Sequence, residues 1–231
     1  MKHYSNRFLK FREKRRLELI RAASKVLNKN GIHRLKVKDV ADQMGIGRGT
    51  LYEYIKTKHD ILFMVMEDAL MRSIQELKEQ TRQVSDPLLR LKKALHVHLN
   101  LIRQNPKILW ALYQESTPLS KTQFKKIFHF LDEYNGIFKE ILDEGKRDGT
   151  FDFEDSYLLA HSLPTMLNTW VIKQNFLDYQ FVLEDYERKL TGVILKGVLN
   201  LDDGNRERNL ERLQSVFGKV HTKKKAVVQH S

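Results

Sequence analysis

The sequence predicts an all-α protein, with a short helix-turn-helix unit near its amino end and a larger helical part after it. Apolar residues recur at spacings of three and four along most of the 231 residues, which is typical of helices. No segment alternates as a strand does, and the chain has only four prolines. An apolar fraction of 41% is enough to form a buried core.

The first helices are short and closely spaced. Residues 1–16 are basic and weakly patterned, so we expect an arm or the fraying start of a helix. A first helix is expected over about 14–28 and a second over about 37–44. Gly45 allows a sharp turn, and a third helix is expected over about 48–54.

Six longer helices are expected after this unit, because proline, glycine or aspartate marks most of their ends. Their predicted ranges are 58–82, 87–104, 106–117, 124–145, 155–175 and 182–201. Gly145 and Gly149 are expected to close the fourth of these helices, and Pro164 is expected to kink the fifth. Residues 202–205 read as a loop.

The charge distribution favours a polyanionic partner. The formal net charge is +12. Residues 1–58 hold 16 Lys and Arg against five Asp and Glu, residues 219–231 hold four lysines and no acid, and residues 59–218 carry −3. Neutralising DNA phosphates with Lys and Arg releases counterions, which favours binding. These three ranges are the expected units of the chain, and the terminal one is expected to be disordered.

The sequence also argues against several classes of protein. It has no cysteine, which excludes disulfides and fits a reducing cytosol. The amino end lacks the apolar core of a signal peptide. The longest apolar run, residues 61–66, is far shorter than the roughly 20 residues of a membrane helix. We therefore expect a soluble cytoplasmic protein with no membrane partner.

Polar groups cluster on and around the third predicted helix. Arg48 can bond a guanine edge or a phosphate, and Thr50 can contact a base or a thymine methyl group. Tyr52 and Tyr54 suit phosphate or sugar contacts, although packing of the small domain is the other explanation of these rings. Lys58 begins the next helix, where a cation and free backbone N–H groups can together bind phosphate.

One register of residues carries a family resemblance. The matching positions are Ala22-Ala23, Val26-Leu27, Gly31, Val37, Asp39, Val40-Ala41, Gly45-Ile46, Gly49-Thr50-Leu51-Tyr52, Tyr54-Ile55, Lys58 and Leu62. In this register residues 17–62 resemble the DNA-binding domain of TetR-family transcriptional regulators. The rest of the chain resembles the family only in its length and helical pattern.

Two positions depart from the family pattern. Lys36 stands where a Thr or Ser usually caps the second helix, which costs about 1 kcal/mol, and its charge can replace the hydroxyl–phosphate contact. Gly47 stands where a Ser usually opens the third helix, so no side chain contacts DNA there. The expected DNA-binding residues are Lys36, Lys38, Gly47, Arg48, Thr50, Tyr52, Tyr54 and Lys58.

The resemblance implies that residues 1–58 form the DNA-binding domain and that residues 59–218 bind a small effector and dimerise. The last two core helices resemble the pair that forms the dimer interface in this family. About half of their apolar residues are expected in the chain's own core. The candidates are Leu158, Leu159, Leu163, Met166, Leu167, Val193, Ile194, Gly197, Val198 and Leu201.

Large side chains of the middle helices are the candidate effector-binding residues. An aromatic stripe forms core more often than pocket, but this many rings within about 60 residues suggest a roomy, apolar cavity. We expect an acyl chain, an aromatic compound or a lipophilic cation as the effector. The candidates are Trp110, Tyr113, Phe128, Tyr134, Phe138, Met166 and Trp170.

These observations predict a homodimeric repressor that an effector releases from a pseudo-palindromic double-stranded DNA operator. The alternative is a DNA-bound structural or cell-organisation protein on the same fold, with a protein partner and no small ligand. An enzyme with an appended DNA-binding domain is not expected, because no nucleophile–base set is in view. His96 and His98 are two apart on a helix and His161 is isolated, so neither a metal nor another cofactor is expected.

Overall fold

The computed structural model describes residues 2–114, 119–177, 179–202 and 204–217, with residues 2–10, 114 and 175 described by their backbone alone. Within these ranges the chain forms helices and one isolated antiparallel bridge, between Phe151 and Leu199. The all-α prediction is confirmed. The helices are α1 (Lys2–Asn30), α2 (Val37–Met44), α3 (Arg48–Tyr52), α4 (Lys58–Thr81), α5 (Pro87–Gln104), α6 (Pro106–Gln114), α7 (Lys121–Arg147), α8 (Ser156–Ile172), α9 (Gln174–Leu177), α10 (Leu183–Val198) and α11 (Arg206–Phe217).

Local sequence explains most of the helix ends. Gly45 ends α2 with a φ of 68°, a left-handed conformation that glycine adopts without steric cost. Asp86 caps α5 by accepting a hydrogen bond from the Leu89 amide, 3.0 Å away, and Pro87 occupies the first turn. Lys36 precedes α2 without a side-chain cap, as its lack of a hydroxyl predicts.

Some helix boundaries differ from the sequence-based expectation. Helix α1 begins at Lys2, so much of the expected arm is helical, and α3 ends at Tyr52. The helix that contains Pro164 ends at Ile172, and a separate short turn of helix follows. The expected helix end near residue 117 and the tail 219–231 lie outside the described residues.

The expectation that Gly145 closes a helix is wrong. Gly145 is buried inside α7, which continues to Arg147, and only Gly149 has the left-handed φ of a terminus, 78°. A Cβ atom at Gly145 would lie 2.1 Å from the Phe151 ring. The glycine is therefore required by the close approach of this aromatic ring rather than by a turn.

Helix α11 was not expected from the sequence, because few of its residues are apolar. Polar contacts hold it, together with Leu213, which is buried in the core beside residues of α5 and α7. Arg212 donates to the Asp86 carboxylate at 2.6 Å and to the Thr150 hydroxyl at 3.1 Å, and the fully buried Asn209 donates to the Asn200 carbonyl at 2.8 Å. These bonds tie the last described helix to the loop before α5 and to the segment after α7.

The buried apolar side chains form clusters that meet along α4. The amino-terminal half of α4 packs with α1, α2 and α3, whereas Ile74 and Leu77 pack with α5, α7, α8, α10 and α11. Four residues beyond α4 also enter the amino-terminal cluster, namely Ile108, Ala111, Leu119 and Ile127. The predicted domain division at residue 58 stays a prediction. None of the described helices has both the length and the apolar character that crossing a membrane requires.

Candidate functional site

Helices α2 and α3 form a compact unit with one apolar side. Val40, Ala41 and Leu51 are fully buried, and Ile55 is 3% exposed just after α3. These four side chains pack against α1 and α4 in one cluster. Because this side is buried, the polar residues of the same two helices are left on the solvent side.

Seven of the eight expected DNA-binding residues are exposed on this unit or beside it. They are Lys36, Lys38, Gly47, Arg48, Thr50, Tyr52 and Lys58. The eighth, Tyr54, is half-buried against the apolar cluster. Among the described residues, Lys36, Lys38 and Arg48 have no ion-pair partner. Unpaired cations and exposed hydroxyls on a short second helix are the groups that can contact DNA phosphates and base edges.

The start of α4 is less open to phosphate than the sequence suggests. The Thr57 hydroxyl accepts a hydrogen bond from the Asp60 amide at 3.3 Å, and the Asp60 carboxylate accepts from the Thr57 and Lys56 amides at 2.8 and 2.9 Å. Partial burial raises the pKa of Asp60, but these hydrogen bonds outweigh it and hold the pKa below its ordinary value. An anion therefore already sits at this helix end, and the Lys58 side chain is the group left for a phosphate.

A cavity of about 980 Å³ lies among α4, α5, α6, α7 and α8. This volume is at the upper end of the roughly 300–1,000 Å³ usual for ligand pockets. Much of the lining is apolar, and its apolar residues include Leu70, Val97, Leu101, Ile108, Leu112 and Leu131. The cavity is large enough for an extended ligand.

Three of the seven candidate effector-binding residues line this cavity: Tyr113, Phe128 and Tyr134. The other four do not. Trp110 is half-buried beside the cluster that contains Trp170 and Tyr186, whose rings lie 4.9 Å apart. Phe138 is fully buried in the main core, and Met166 is 38% exposed on the outer surface. The binding roles of all seven stay predictions.

Sequence reasoning named Tyr113 and Tyr134 but missed His98 and Asn168, which join them in a polar wall of the cavity. His98 is buried between α7 and α8, with Nδ1 2.8 Å from the Tyr134 hydroxyl and Nε2 3.0 Å from Asn168 Oδ1 and 3.1 Å from the Pro164 carbonyl. Asn168 Nδ2 donates to the Tyr113 hydroxyl at 3.0 Å. No sequence signal marks this set, because its members come from four helices.

Burial determines the charge state of the polar wall. It lowers the pKa of His98 to about 4, against an ordinary value of 6.5, and raises the pKa of Tyr134. Both side chains are therefore neutral at pH 7. His96 and His161 also border the cavity, but His96 contacts Glu187 at 2.5 Å and His161 stacks on Tyr157. The described residues contain no group of three or more side chains suited to a metal ion.

Charged side chains border the cavity on α4 and α5. Arg72 pairs with Asp68 at 2.5 Å, and Arg103 donates to Asn100 Oδ1 at 3.3 Å. Lys93 has no ion-pair partner in the described part of the chain. Glu76 is the acidic residue of α4 that borders the cavity. A ligand with an anionic end would find cations here.

Polar contacts connect the walls of the cavity with the amino-terminal helices. Glu67 is buried on α4 and forms ion pairs with Arg16 of α1, at 2.5 Å, and with Lys126 of α7. Gln123 of α7 donates to Asp60 at 2.9 Å. Arg16, which the sequence counted within the basic arm, thus balances a buried carboxylate.

A second link runs from α6 to the end of α1. The Lys107 ammonium donates to the Asn28 carbonyl and to the Lys29 carbonyl, the latter at 3.2 Å. Cations at a helix carboxyl end are favourable because the last carbonyls have no partner within the helix. Helix α6 lines the cavity through Ile108 and Tyr113, so one helix touches both the cavity and the amino-terminal unit.

The outer sides of α8 and α10 expose apolar side chains. Leu158 and Val193 are 63% and 61% exposed. Of the ten expected interface residues, five are exposed: Leu158, Met166, Val193, Gly197 and Leu201. Leu159 is half-buried, and the other four are buried in the chain's own core: Leu163, Leu167, Ile194 and Val198. Dimerisation through these helices stays a prediction.

Family comparisons define the class of protein. The family of bacterial regulatory proteins called tetR matches residues 19–65, and the tetracyclin repressor-like C-terminal domain matches residues 84–172. Together these two matches cover more than half of the chain. The chain belongs to the TetR family of bacterial transcriptional regulators, as the register of residues 17–62 predicted.

The relatives are named as regulators. The chain is 24% identical over 189 residues to the "Fatty acid metabolism regulator protein" of Bacillus subtilis (strain 168), covering 80% of this chain and 95% of that protein. It is 22% identical over 174 residues to the "HTH-type transcriptional regulator HbdR" of Aromatoleum sp. (strain CIB), covering 75% and 76%. It is 27% identical over 138 residues to the "HTH-type transcriptional repressor KstR2" of Mycolicibacterium smegmatis, covering 59% and 67%.

Solved structures share the fold. The transcriptional regulator FadR from Bacillus subtilis, in complex with stearoyl-CoA, matches with a TM-score of 0.67 and 23% identity over 78% of this chain and 98% of that one. A putative regulator from Saccharomonospora viridis, in complex with choline, matches with a TM-score of 0.72 and 17% identity over 81% and 98%.

Proposed function

We propose that this protein is a transcriptional repressor that binds a two-fold symmetric operator as a homodimer and is released by a small effector. The observation that carries the DNA-binding part is the set of exposed hydroxyls and cations around α3, with Arg48 at its start, and these cations have no ion-pair partner among the described residues. A helix whose apolar side is fixed by Leu51 can present this polar side to a major groove. The cytoplasm is the compartment where a bacterial regulator meets DNA.

The homodimer is supported by the exposed apolar side chains of α8 and α10. A face that presents Leu158 and Val193 to water at about 60% exposure gains stability when a second copy covers it. Gly197 adds an open position with no atom near its missing Cβ, which allows close helix approach. Two copies joined here would give the two-fold symmetry that a palindromic operator needs.

The effector is proposed to have a long apolar chain and an anionic end, and a fatty acyl-CoA is the example that the relatives supply. The FadR structure in complex with stearoyl-CoA is similar in fold to this chain. The cavity of about 980 Å³ offers apolar walls, and Lys93 and Arg103 offer cations at its α5 border. The alternative, a DNA-bound structural protein with no small ligand, would be favoured by a filled core, and this cavity speaks against it.

Effector binding is proposed to reach DNA through α4 and α6. Helix α6 lines the cavity, and its Lys107 contacts the carbonyls at the end of α1. Helix α4 carries Glu67, which pairs with α1 on one side and α7 on the other. A ligand that displaces α6 or α7 would change the positions of the two α3 helices in a dimer and so weaken operator binding.

Selection of bound sequences from a random duplex pool tests the DNA-binding proposal. The full chain is expected to enrich a two-fold symmetric motif. Arg48→Ala is expected to relax one base position, with a loss of about 1–3 kcal/mol in discrimination, and Tyr54→Ala to weaken binding uniformly. Arg82→Ala is the matched control, because this exposed arginine follows the far end of α4, about 36 Å along the helix from Lys58. Binding without any enriched motif would contradict the proposal and favour the structural protein.

A further inference from the structure

The polar wall of the cavity is a directed chain of hydrogen bonds. It connects Tyr134, His98, Asn168 and Tyr113, with contacts between 2.8 and 3.0 Å. The direction of each bond can be worked out from one group, the Pro164 carbonyl, because a carbonyl oxygen accepts hydrogen bonds and cannot donate them.

His98 must donate through Nε2. That nitrogen lies 3.1 Å from the Pro164 carbonyl, so it carries the proton. The Asn168 atom that faces the same nitrogen at 3.0 Å must then be an acceptor, which makes it the amide oxygen. The Asn168 amide nitrogen is therefore on the other side, where it donates to the Tyr113 hydroxyl oxygen.

The other ring nitrogen gives the same direction. Burial lowers the pKa of His98 to about 4, so Nδ1 has no proton at pH 7 and accepts from the Tyr134 hydroxyl. The series of hydrogen bonds thus runs from Tyr134 through His98 and Asn168 and ends on Tyr113, whose hydroxyl oxygen accepts. None of the described residues accepts the hydroxyl proton of Tyr113, and Tyr113 borders the cavity at 47% exposure.

We propose that Tyr113 is the polar anchor of the effector cavity and donates its hydroxyl proton to a carbonyl oxygen on an otherwise apolar part of the ligand. The inference rests on the proposed role of the cavity as the effector site. A neutral acceptor fits, because His98, Asn168 and both tyrosines carry no charge that would balance a carboxylate at this point. The ligand class is therefore an ester, thioester or ketone on a long apolar chain.

The composition of the wall supports a binding role. His98 is 5% exposed and Asn168 is 7% exposed in a cavity that leucine, isoleucine and valine side chains also line. Burying these polar groups costs free energy that leucine side chains would not cost. Their mutual bonds offset this cost, and a ligand carbonyl would accept from the one hydroxyl of the set that donates to no described residue.

A matched pair of ligands and a matched pair of variants test this inference. The probes are palmitoyl-CoA and S-hexadecyl-CoA, a thioether in which a methylene replaces the thioester carbonyl. The Kd of each probe is measured by calorimetry with the full chain, with Tyr113→Phe, and with the control Tyr179→Phe, whose ring is 89% exposed and lies outside the cavity lining.

The wild-type chain and Tyr179→Phe are expected to bind the thioester about ten-fold more tightly than the thioether, the net value of one hydrogen bond. In Tyr113→Phe the two probes are expected to bind equally, with the Kd of the thioether unchanged. Equal binding of both probes by the wild-type chain, or equal weakening of both in Tyr113→Phe, would overturn the inference and leave the proposed effector class standing. Binding of neither probe would overturn both.

Discussion

Removing both cations that face Glu67 is expected to destabilise the protein far more than neutralising Glu67 itself. The Glu67 side chain is 4% exposed, whereas those of Arg16 and Lys126 are 43% and 53% exposed. In Arg16→Ala or Lys126→Ala the remaining cation still balances the buried carboxylate. Each single change is therefore expected to lower the free energy of unfolding by about 1 kcal/mol.

The double variant leaves the carboxylate buried without a partner, which costs about 3–5 kcal/mol. Glu67→Gln removes the charge but keeps an amide oxygen that can accept from Arg16, so its cost is expected to stay near 1 kcal/mol. Adding Glu67→Gln to the double variant should restore most of the lost stability. The triple variant is thus expected to be more stable than the double variant that lacks only the two cations.

Urea unfolding of the full chain, followed by circular dichroism, measures these free energies by linear extrapolation. The loss in the double variant should exceed the sum of the two single losses by at least about 1 kcal/mol. If the single losses add within about 0.5 kcal/mol, the carboxylate is solvated or compensated elsewhere, and the reasoning about Glu67 is refuted.

Three further changes test other features. Gly145→Ala is expected to lower the free energy of unfolding in urea by about 1–3 kcal/mol, because its Cβ would lie 2.1 Å from the Phe151 ring. Gly136→Ala in the same helix is the control, since it has open space and should be neutral or stabilising. His98, with a folded pKa of about 4, binds its proton more readily in the unfolded chain, so stability should fall by on the order of 3 kcal/mol between pH 6.5 and 4. His98→Asn should flatten that part of the profile, and equal slopes in both proteins would contradict the assignment. Lys107→Met should keep operator affinity within about two-fold but reduce the effector-induced release measured by fluorescence anisotropy, and an unchanged release would exclude α6 as the route.

The helix-turn-helix unit could be predicted closely from the sequence. Helix α2 was predicted at its observed bounds, because an apolar period and Gly45 both mark it. The exposed state of Arg48 and the burial of Leu51 also follow from the spacing of apolar residues. Local rules suffice where helices are short and each end has its own signal.

The cavity and its polar wall could not be predicted in the same way. Aromatic side chains at helical spacing look alike whether they line a space or fill a core, so Phe128 and Phe138 were indistinguishable. His98 and Asn168 are 70 positions apart in the chain, and their hydrogen bond depends on how α5 and α8 pack. Gly145 was misread as a helix end because its ring contact is likewise tertiary.

The shared packing along α4 has a consequence for building chimeric regulators. Ile108, Ala111, Leu119 and Ile127, all from beyond α4, complete the apolar cluster that holds α2 and α3 in place. A fragment cut at residue 58 would therefore expose this cluster and lose part of its scaffold. To give this DNA-reading unit a new sensor, a designer would have to retain α4 and graft the contact faces of α6 and α7 with it, together with Leu119, or rebuild those four positions in the recipient.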